Sequence, residues 1–235
     1  MNCRMISASM MCSSLVDLEK TIRIFENHHI EYLHIDVMDG TFVPNFGLGV
    51  DYIRGLRELT NIPLDLHLMI DNPEYKLDWI GIRSTDIVSI HYESTNQLQR
   101  VLDKLHKYGC KCFIAINPAT PIWVLEEVLD FIDGINLLMV NPGFAGQKMV
   151  PSTMEKAIKL RKFLDQHRKS NLYIEADGNI TPEHAYRLSQ VDANIYVGGT
   201  SSIFRNDPAD YGNNIVELRR AMNIMDGNRI DQKIR

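Results

Sequence analysis

No apolar run in this sequence approaches the roughly 20 residues that a bilayer crossing needs, so no membrane span is expected. No basic segment followed by an apolar stretch opens the chain either, and no secretory leader is expected. Cysteine is scarce: Cys3, Cys12, Cys110 and Cys112 are all there is. The pair Cys110-Lys111-Cys112 has one intervening residue, too few for the usual zinc spacing and strained for a disulfide, so free thiols in a reducing cytoplasm are expected. Basic charge is short as well. The 25 Lys and Arg against 30 Asp and Glu give a net charge of −5 with no basic stripe, which argues against nucleic acid as a partner. A chain of this balance that handles an anion must hold it locally, with backbone N–H groups, a metal or a few side chains. The glycine-rich dinucleotide fingerprint is also missing, because the first apolar run leads into Cys12-Ser13-Ser14 without a glycine.

The 235 residues, 45% hydrophobic and 23% charged, suit one large globular domain. Short β-branched-rich runs recur at Met5–Met10, Tyr32–Asp36, Leu64–Met69, Asp86–His91, Lys111–Ile116, Ile135–Val140, Leu172–Asp177 and Asn194–Val197. Between them lie amphipathic stretches, among them Ser14–His28, Thr95–Tyr108, Ile122–Phe131, Ser152–His167 and Pro182–Gln190. Thr120-Pro121 and Thr181-Pro182 each place a capping hydroxyl before a first-turn proline. Strand–helix alternation implies parallel pairing, and eight units of about 29 residues predict a single (β/α)8 TIM barrel. The catalytic domain is expected over residues 1–225, with 226–235 a polar, frayed tail.

Residues two apart on a strand share a face. His34 and Asp36 therefore point together at the end of the second run, with His67 ending the third and Asp177 the seventh. Barrels of this kind keep their chemistry at the carboxyl ends of strands. Two imidazoles and two carboxylates converging there predict a site for a divalent metal, zinc or else iron(II), manganese or cobalt. His91 ends the fourth run and either joins that set or supports it from behind. Asp39 and Asp65 read as structural, and His28, His29, His106, His167 and His184 as lying away from the rim.

Three glycine-rich turns follow neighbouring strands: Asn141-Pro142-Gly143-Phe144-Ala145-Gly146-Gln147, Gly178-Asn179, and Gly198-Gly199-Thr200-Ser201-Ser202. Such turns let backbone N–H groups close on an anion, so a phosphate site is predicted, with a short helix starting at Ser202–Phe204. Met38, Met69 and Met139 sit at strand ends and are read as an apolar lid.

The runs Ile6–Ser9, His34–Asn45, Leu64–Met69, Asn117–Pro121 and Val140–Gln147 resemble the ribulose-phosphate 3-epimerase family, and the resemblance extends from about residue 5 to 204. It implies a metal-dependent isomerase that inverts C3 of a phosphorylated ketose by passing protons between two aspartates across a metal-stabilised enediolate. By motif, Asp36 and Asp177 are the acid and base, and His34, Asp36, His67 and Asp177 hold the metal. Ser9 and His67 touch the substrate, together with Asp177, and Gly143, Phe144, Ala145, Gly146, Gly178, Asn179, Gly199 and Thr200 cradle its phosphate. The family forms homo-oligomers. D-ribulose 5-phosphate is the expected substrate. However, Ser9-Met10-Met11-Cys12, Phe144-Ala145-Gly146-Gln147 and Gly199-Thr200-Ser201 depart toward the sister group that epimerises D-allulose 6-phosphate. A Schiff-base aldolase would need a lysine at a strand's carboxyl end; Lys111 begins its strand and Lys148 lies in a loop. A metal-assisted aldolase would keep the cation but has no need of paired aspartates. A non-catalytic sugar-phosphate binder would have no use for the acid, base and metal ligands that this chain carries.

Overall fold

Eight of the apolar runs form strands: β1 (Met5–Ser9), β2 (Tyr32–Met38), β3 (Leu64–Met69), β4 (Ile87–His91), β5 (Lys111–Ile116), β6 (Gly134–Leu138), β7 (Tyr173–Asp177) and β8 (Ile195–Gly198). Each pairs in parallel with the next, and β1 pairs with β8, closing the barrel that the alternation implied. The structure, a computed structural model, describes residues 4–223; Cys3 and the tail expected over 226–235 lie outside them. Strand bounds differ from the sequence reading by up to two residues. β2 runs on to Met38, and β6 begins at Gly134 and stops at Leu138.

Side chains alternating outward from the strands, such as Leu33, Ile35, Leu66, Ile114, Leu137 and Ile174, join one buried core with the surrounding helices. Those pointing inward stack in layers. Tyr32, Ile87, Phe113 and Ile195 form an apolar floor at the amino-terminal end. Above it comes a polar layer, Ser7, His34, Asp65, Ser89, Asn136 and Glu175, with every member fully buried. The chemically active groups form the rim above that.

The helices are α1 (Leu18–Asn27), α2 (Val50–Leu59), α3 (Leu77–Ile80), α4 (Leu98–His106), α5 (Thr153–Gln166), α6 (Pro182–Ser189) and α7 (Tyr211–Asn223). The Ile122–Phe131 stretch is helical but wound as 3-10 throughout. Thr181 caps α6 as its motif predicted, accepting from the His184 N–H at 3.1 Å. Thr120 does not cap: its hydroxyl is drawn to Glu93 instead. The short helix expected from Ser202 does not form. The chain makes tight turns there, with the N–H groups of Ser202 and Phe204 both donating to the Gly199 carbonyl. Among the described residues no helix is long and apolar enough to cross a membrane.

Candidate active site

The β2–β3 register sets Asp36 opposite His67 and His34 opposite Asp65. Side chains from β2, β3 and β7 thereby meet at the barrel mouth. His34 Nε2 lies 3.3 Å from Asp36 Oδ1 and 3.5 Å from Asp177 Oδ2, and His67 Nδ1 lies 3.3 Å from each of those oxygens. All four donor atoms fall within 4.8 Å of one another. Ligand atoms about 2.0–2.2 Å from a central ion in a tetrahedron are separated by about 3.3–3.6 Å, so these spacings fit a four-coordinate divalent metal. His34 Nε2 is fully buried without a hydrogen-bond partner among the described residues, which is the condition of a ligand atom aimed at a cation.

Both imidazoles are oriented from behind. Asp65 Oδ2 takes His34 Nδ1 at 2.7 Å and the Ser7 hydroxyl at 2.8 Å. Glu175 Oε1 lies 3.4 Å from the same His34 nitrogen. His67 Nε2 is 2.8 Å from His91 Nε2, and His91 Nδ1 is 3.3 Å from Glu93 Oε2. Of the two roles open to His91, the structure thus gives it the supporting one.

Burial disfavours a charged His34, but Asp65, Asp36 and Asp177 outweigh it and raise the imidazole well above its ordinary value. Burial likewise opposes the charge on His67, yet hydrogen bonds that its ring donates to Asp177 and Asp36 lift it to about 9. Burial acts against both aspartates, and the paired histidines overcome it: Asp36 is held far below the usual carboxylate range and Asp177 at about 2. Glu175, pushed up by burial and then by Asp65 beside it, is kept protonated.

Above this cluster opens a cleft walled by Asp36, His67 and Asp177 and by the three glycine-rich turns. Gly143, Phe144, Ala145, Gly146, Gly178, Asn179, Gly199 and Thr200 all face it, as does Ser9, whose hydroxyl donates to Asp36 Oδ2 at 3.2 Å. Gly178 has φ +109°, and a Cβ there would meet Val140 Cγ2 at 2.5 Å, so only glycine fits. Asn179 spans two of the turns, donating to Ser201 Oγ at 2.7 Å and accepting from the Met149 N–H. His184, expected far from the rim, reaches the back of this turn, with Nδ1 2.7 Å from the Asn179 carbonyl.

Met38 and Met69 line the cleft as expected; Met139 does not. β6 points Leu138 inward, so its neighbour Met139 turns outward and is fully buried in the core beneath the helices. Leu138 and Met11 take its place on the cleft wall. The sequence reading also gave no role to Glu175, Glu93, Asn45 or Gln147. Glu175 carried a usable signal, a second acid two residues before Asp177 on the same face; Asn45 and Gln147 lie in loops, where no periodicity points at a partner. Asn45 Nδ2 donates to the Gly143 carbonyl at 2.8 Å, and Gln147 Nε2 braces the same turn through the Asn141 and Phe144 carbonyls.

Fold and site together define a TIM barrel with a metal-fitting His–Asp cluster and three glycine-rich turns around one cleft at its mouth. The overall shape is shared with 3-hexulose-6-phosphate synthase (TM-score 0.66, 11% identity, covering 93% of this chain and 99% of that one). It is shared too with phosphoribosyl anthranilate isomerase from Thermococcus kodakaraensis (TM-score 0.61, 13% identity, 94% and 99% covered). In sequence the chain is 36% identical over 207 residues to the chloroplastic ribulose-5-phosphate-3-epimerase of Arabidopsis thaliana, covering 87% of this chain and 73% of that protein. It is 34% identical over 202 residues to ribulose-phosphate 3-epimerase of Bacillus subtilis (strain 168), covering 86% and 93%. Residues 5–204 match the ribulose-phosphate 3 epimerase family, and the chain belongs to it.

Proposed function

We infer that this protein is a carbohydrate epimerase that interconverts D-ribulose 5-phosphate and D-xylulose 5-phosphate by inverting C3, within a single catalytic domain over residues 1–225. The observation that carries the reading is the juxtaposition of two aspartates with an anion cradle across one cleft. The proton on C3 is acidic only because C2 is a carbonyl. Inverting that carbon requires one group to take the proton from one face and another to return it to the opposite face. Asp36 and Asp177, carried by strands on either side of β1 and β8, meet that demand. Protonated His34 and His67 hold both aspartates ionised; with the histidines neutral as metal ligands, one aspartate would be ionised while the other carries the proton, their roles exchanging with the direction of reaction.

His34, Asp36, His67 and Asp177 would hold a divalent cation, zinc being the usual choice of such a His–Asp set ahead of iron(II), manganese or cobalt, and bound there it would supply Lewis-acid charge beside the reacting carbon. Ser9 steadies the free oxygen of Asp36, and His67 touches the substrate beside it. The backbone of Gly143–Gly146, with Gly178, Asn179, Gly199 and Thr200, holds the phosphate. Met11, Met38 and Met69 keep water from the reacting carbon.

Absence of lysine from the cleft wall among the described residues disfavours a Schiff-base aldolase; Lys111 Nζ donates instead to Tyr32 at the far end of the barrel. The free thiols of Cys12, Cys110 and Cys112 suit a reducing cytoplasm. Exposed Val16 and Phe46, at 92% and 83%, suit burial in a homo-oligomer, which sedimentation tests.

The decisive experiment runs D-ribulose 5-phosphate beside D-allulose 6-phosphate on metal-loaded protein in deuterated water. Deuterium entering C3 of the pentulose, with no carbon–carbon cleavage and a higher kcat/KM than for the hexulose, supports the reading. Cleavage, binding without exchange, or preference for the hexulose overturns it.

A further inference from the structure

The metal ligand His67 is tied to a loop on the outside of the site through two side chains that face no substrate. His91 is fully buried and meets His67 edge to edge, nearly coplanar, with ring centroids 5.0 Å apart and planes 23° from parallel. Phe42 packs against the His91 ring, with centroids 4.7 Å apart. Its two nitrogens are both engaged, Nε2 with His67 Nε2 at 2.8 Å and Nδ1 with Glu93 Oε2 at 3.3 Å.

Only one sequence of donors satisfies every atom when His67 Nδ1 presents its lone pair to a cation. His67 Nε2–H donates to His91 Nε2, and His91 Nδ1–H donates to the Glu93 carboxylate. The other oxygen of Glu93 is occupied as well, accepting from the Asn117 N–H at 3.0 Å and from the Thr120 hydroxyl. That loop, following β5, is pinned from beneath by Lys156 of α5, whose Nζ donates to the Asn117 carbonyl at 2.6 Å and that of Pro118 at 3.3 Å. His34 has a shorter arrangement for the same purpose, its Nδ1 meeting Asp65 directly.

We propose that His91 and Glu93 are positioning residues that hold His67 in the tautomer and ring orientation needed for metal binding, with the loop Asn117–Thr120 as their anchor. The proposal rests on the metal-dependent reading of the site above and extends it to a residue pair outside the cleft. A two-link relay also explains why a histidine, not an apolar residue, ends β4. A buried imidazole between a ligand and a carboxylate passes orientation inward while leaving no polar atom unpaired.

The test is zinc affinity, measured without sugar by competition with a chromophoric chelator, on the parent protein and on Glu93→Gln, Glu93→Ala and His91→Phe. Circular dichroism and thermal unfolding report folding in parallel. Glu93→Ala and His91→Phe are expected to weaken zinc binding roughly 10–100-fold. Glu93→Gln, which keeps a carbonyl acceptor for His91 and is close to isosteric, is expected to fold and to lose less. Loaded with cobalt(II), the variants are expected to show a shifted visible spectrum, because the ligand field changes with the tilt of His67. Lowered melting temperature with zinc affinity and cobalt spectrum within twofold and unshifted in Glu93→Gln and His91→Phe overturns the relay and leaves a packing role. Should the parent itself bind no zinc, the metal reading of the site fails, an outcome distinct from equal binding by parent and variants.

Discussion

Asp36 and Asp177 are both buried near two imidazoles, and with no cation bound that neighbourhood keeps them ionised where burial alone would protonate them. Replacing either with asparagine preserves volume and most hydrogen bonds while removing the proton carrier. Turnover of Asp36→Asn or Asp177→Asn is expected to fall on the order of 10³-fold with an unchanged circular dichroism spectrum. Near-parent turnover in metal-replete protein would remove that residue from the chemistry. On the opposite side of the cleft the demand is steric. In Gly178→Ala a side chain would have to sit at φ +109° against Val140, costing roughly 1–3 kcal/mol of local strain. The affected turn is one of those proposed to hold the phosphate, so KM for the sugar phosphate is expected to rise at least severalfold; an unchanged KM would place the phosphate elsewhere.

At the scale of elements, the site depends on strands being held in register by contacts far from the mouth. Asp86, fully buried just before β4, takes both guanidinium nitrogens of Arg57 on α2, the nearer at 2.6 Å. It also accepts the backbone N–H groups of Leu64 at the start of β3 and of Arg83. One carboxylate therefore joins α2, β3 and β4. Removing it leaves a guanidinium that is 10% exposed without its partner, and Asp86→Ala is expected to cost about 3–5 kcal/mol. Urea denaturation followed by tryptophan fluorescence checks this, and a cost below 1 kcal/mol would contradict it. The loop after β2 is held at both ends in the same way. Asp39 accepts the N–H groups of Thr41, Phe42 and Asp71 and the Lys76 ammonium, and Asn45 reaches across to Gly143.

For the whole molecule, the buried charge cluster links metal content, pH and stability. His67 titrates at about 9 and His34 is raised well above its ordinary value, so both are protonated near neutrality when a chelator has stripped the site. Metal binding must then displace those protons. Zinc affinity is expected to rise with pH toward 9, and calorimetry in buffers of different ionisation enthalpy is expected to show net proton release. Chelated protein should also melt at a lower temperature than loaded protein, by linkage. In the chelated form His67, raised from 6.5, contributes stability that is complete below pH 6.5 and lost as pH climbs through about 9. Glu93, lowered from 4.5, contributes stability that is present above 4.5 and lost as pH falls through about 2. Between those limits His91, lowered from 6.5 to about 4, loses stability as pH falls while Glu175, kept protonated, loses it as pH rises, and the two offset each other. Chelated protein is therefore expected to be most stable between roughly pH 4.5 and 6.5, and a stability maximum near pH 9 would contradict the ion pairing described.

Much of this was written in local pattern. Alternation by two places His34 beside Asp36 on one face, and it needs no knowledge of the fold. The spacing of apolar runs determined eight parallel units, and glycine clusters after the sixth, seventh and eighth marked the turns that line the cleft. Where local pattern failed, a distant partner had decided. Met139 looked like a lid residue because it lies at a strand end; β6 turns Leu138 inward beside Asp177, and alternation then sends the neighbouring methionine into the core. Thr120 has the residues of a helix cap, but Glu93 from the preceding strand–helix unit offers its hydroxyl a charged acceptor. The supports of the metal site, Asp65 under His34 and Glu93 behind His91, join residues 31 and 26 positions from the ligands they steady. Sequence alone determined which side chains face inward, since that follows from backbone geometry within a strand. Only barrel closure decided which of them meet, since it brings together strands that are not neighbours along the chain.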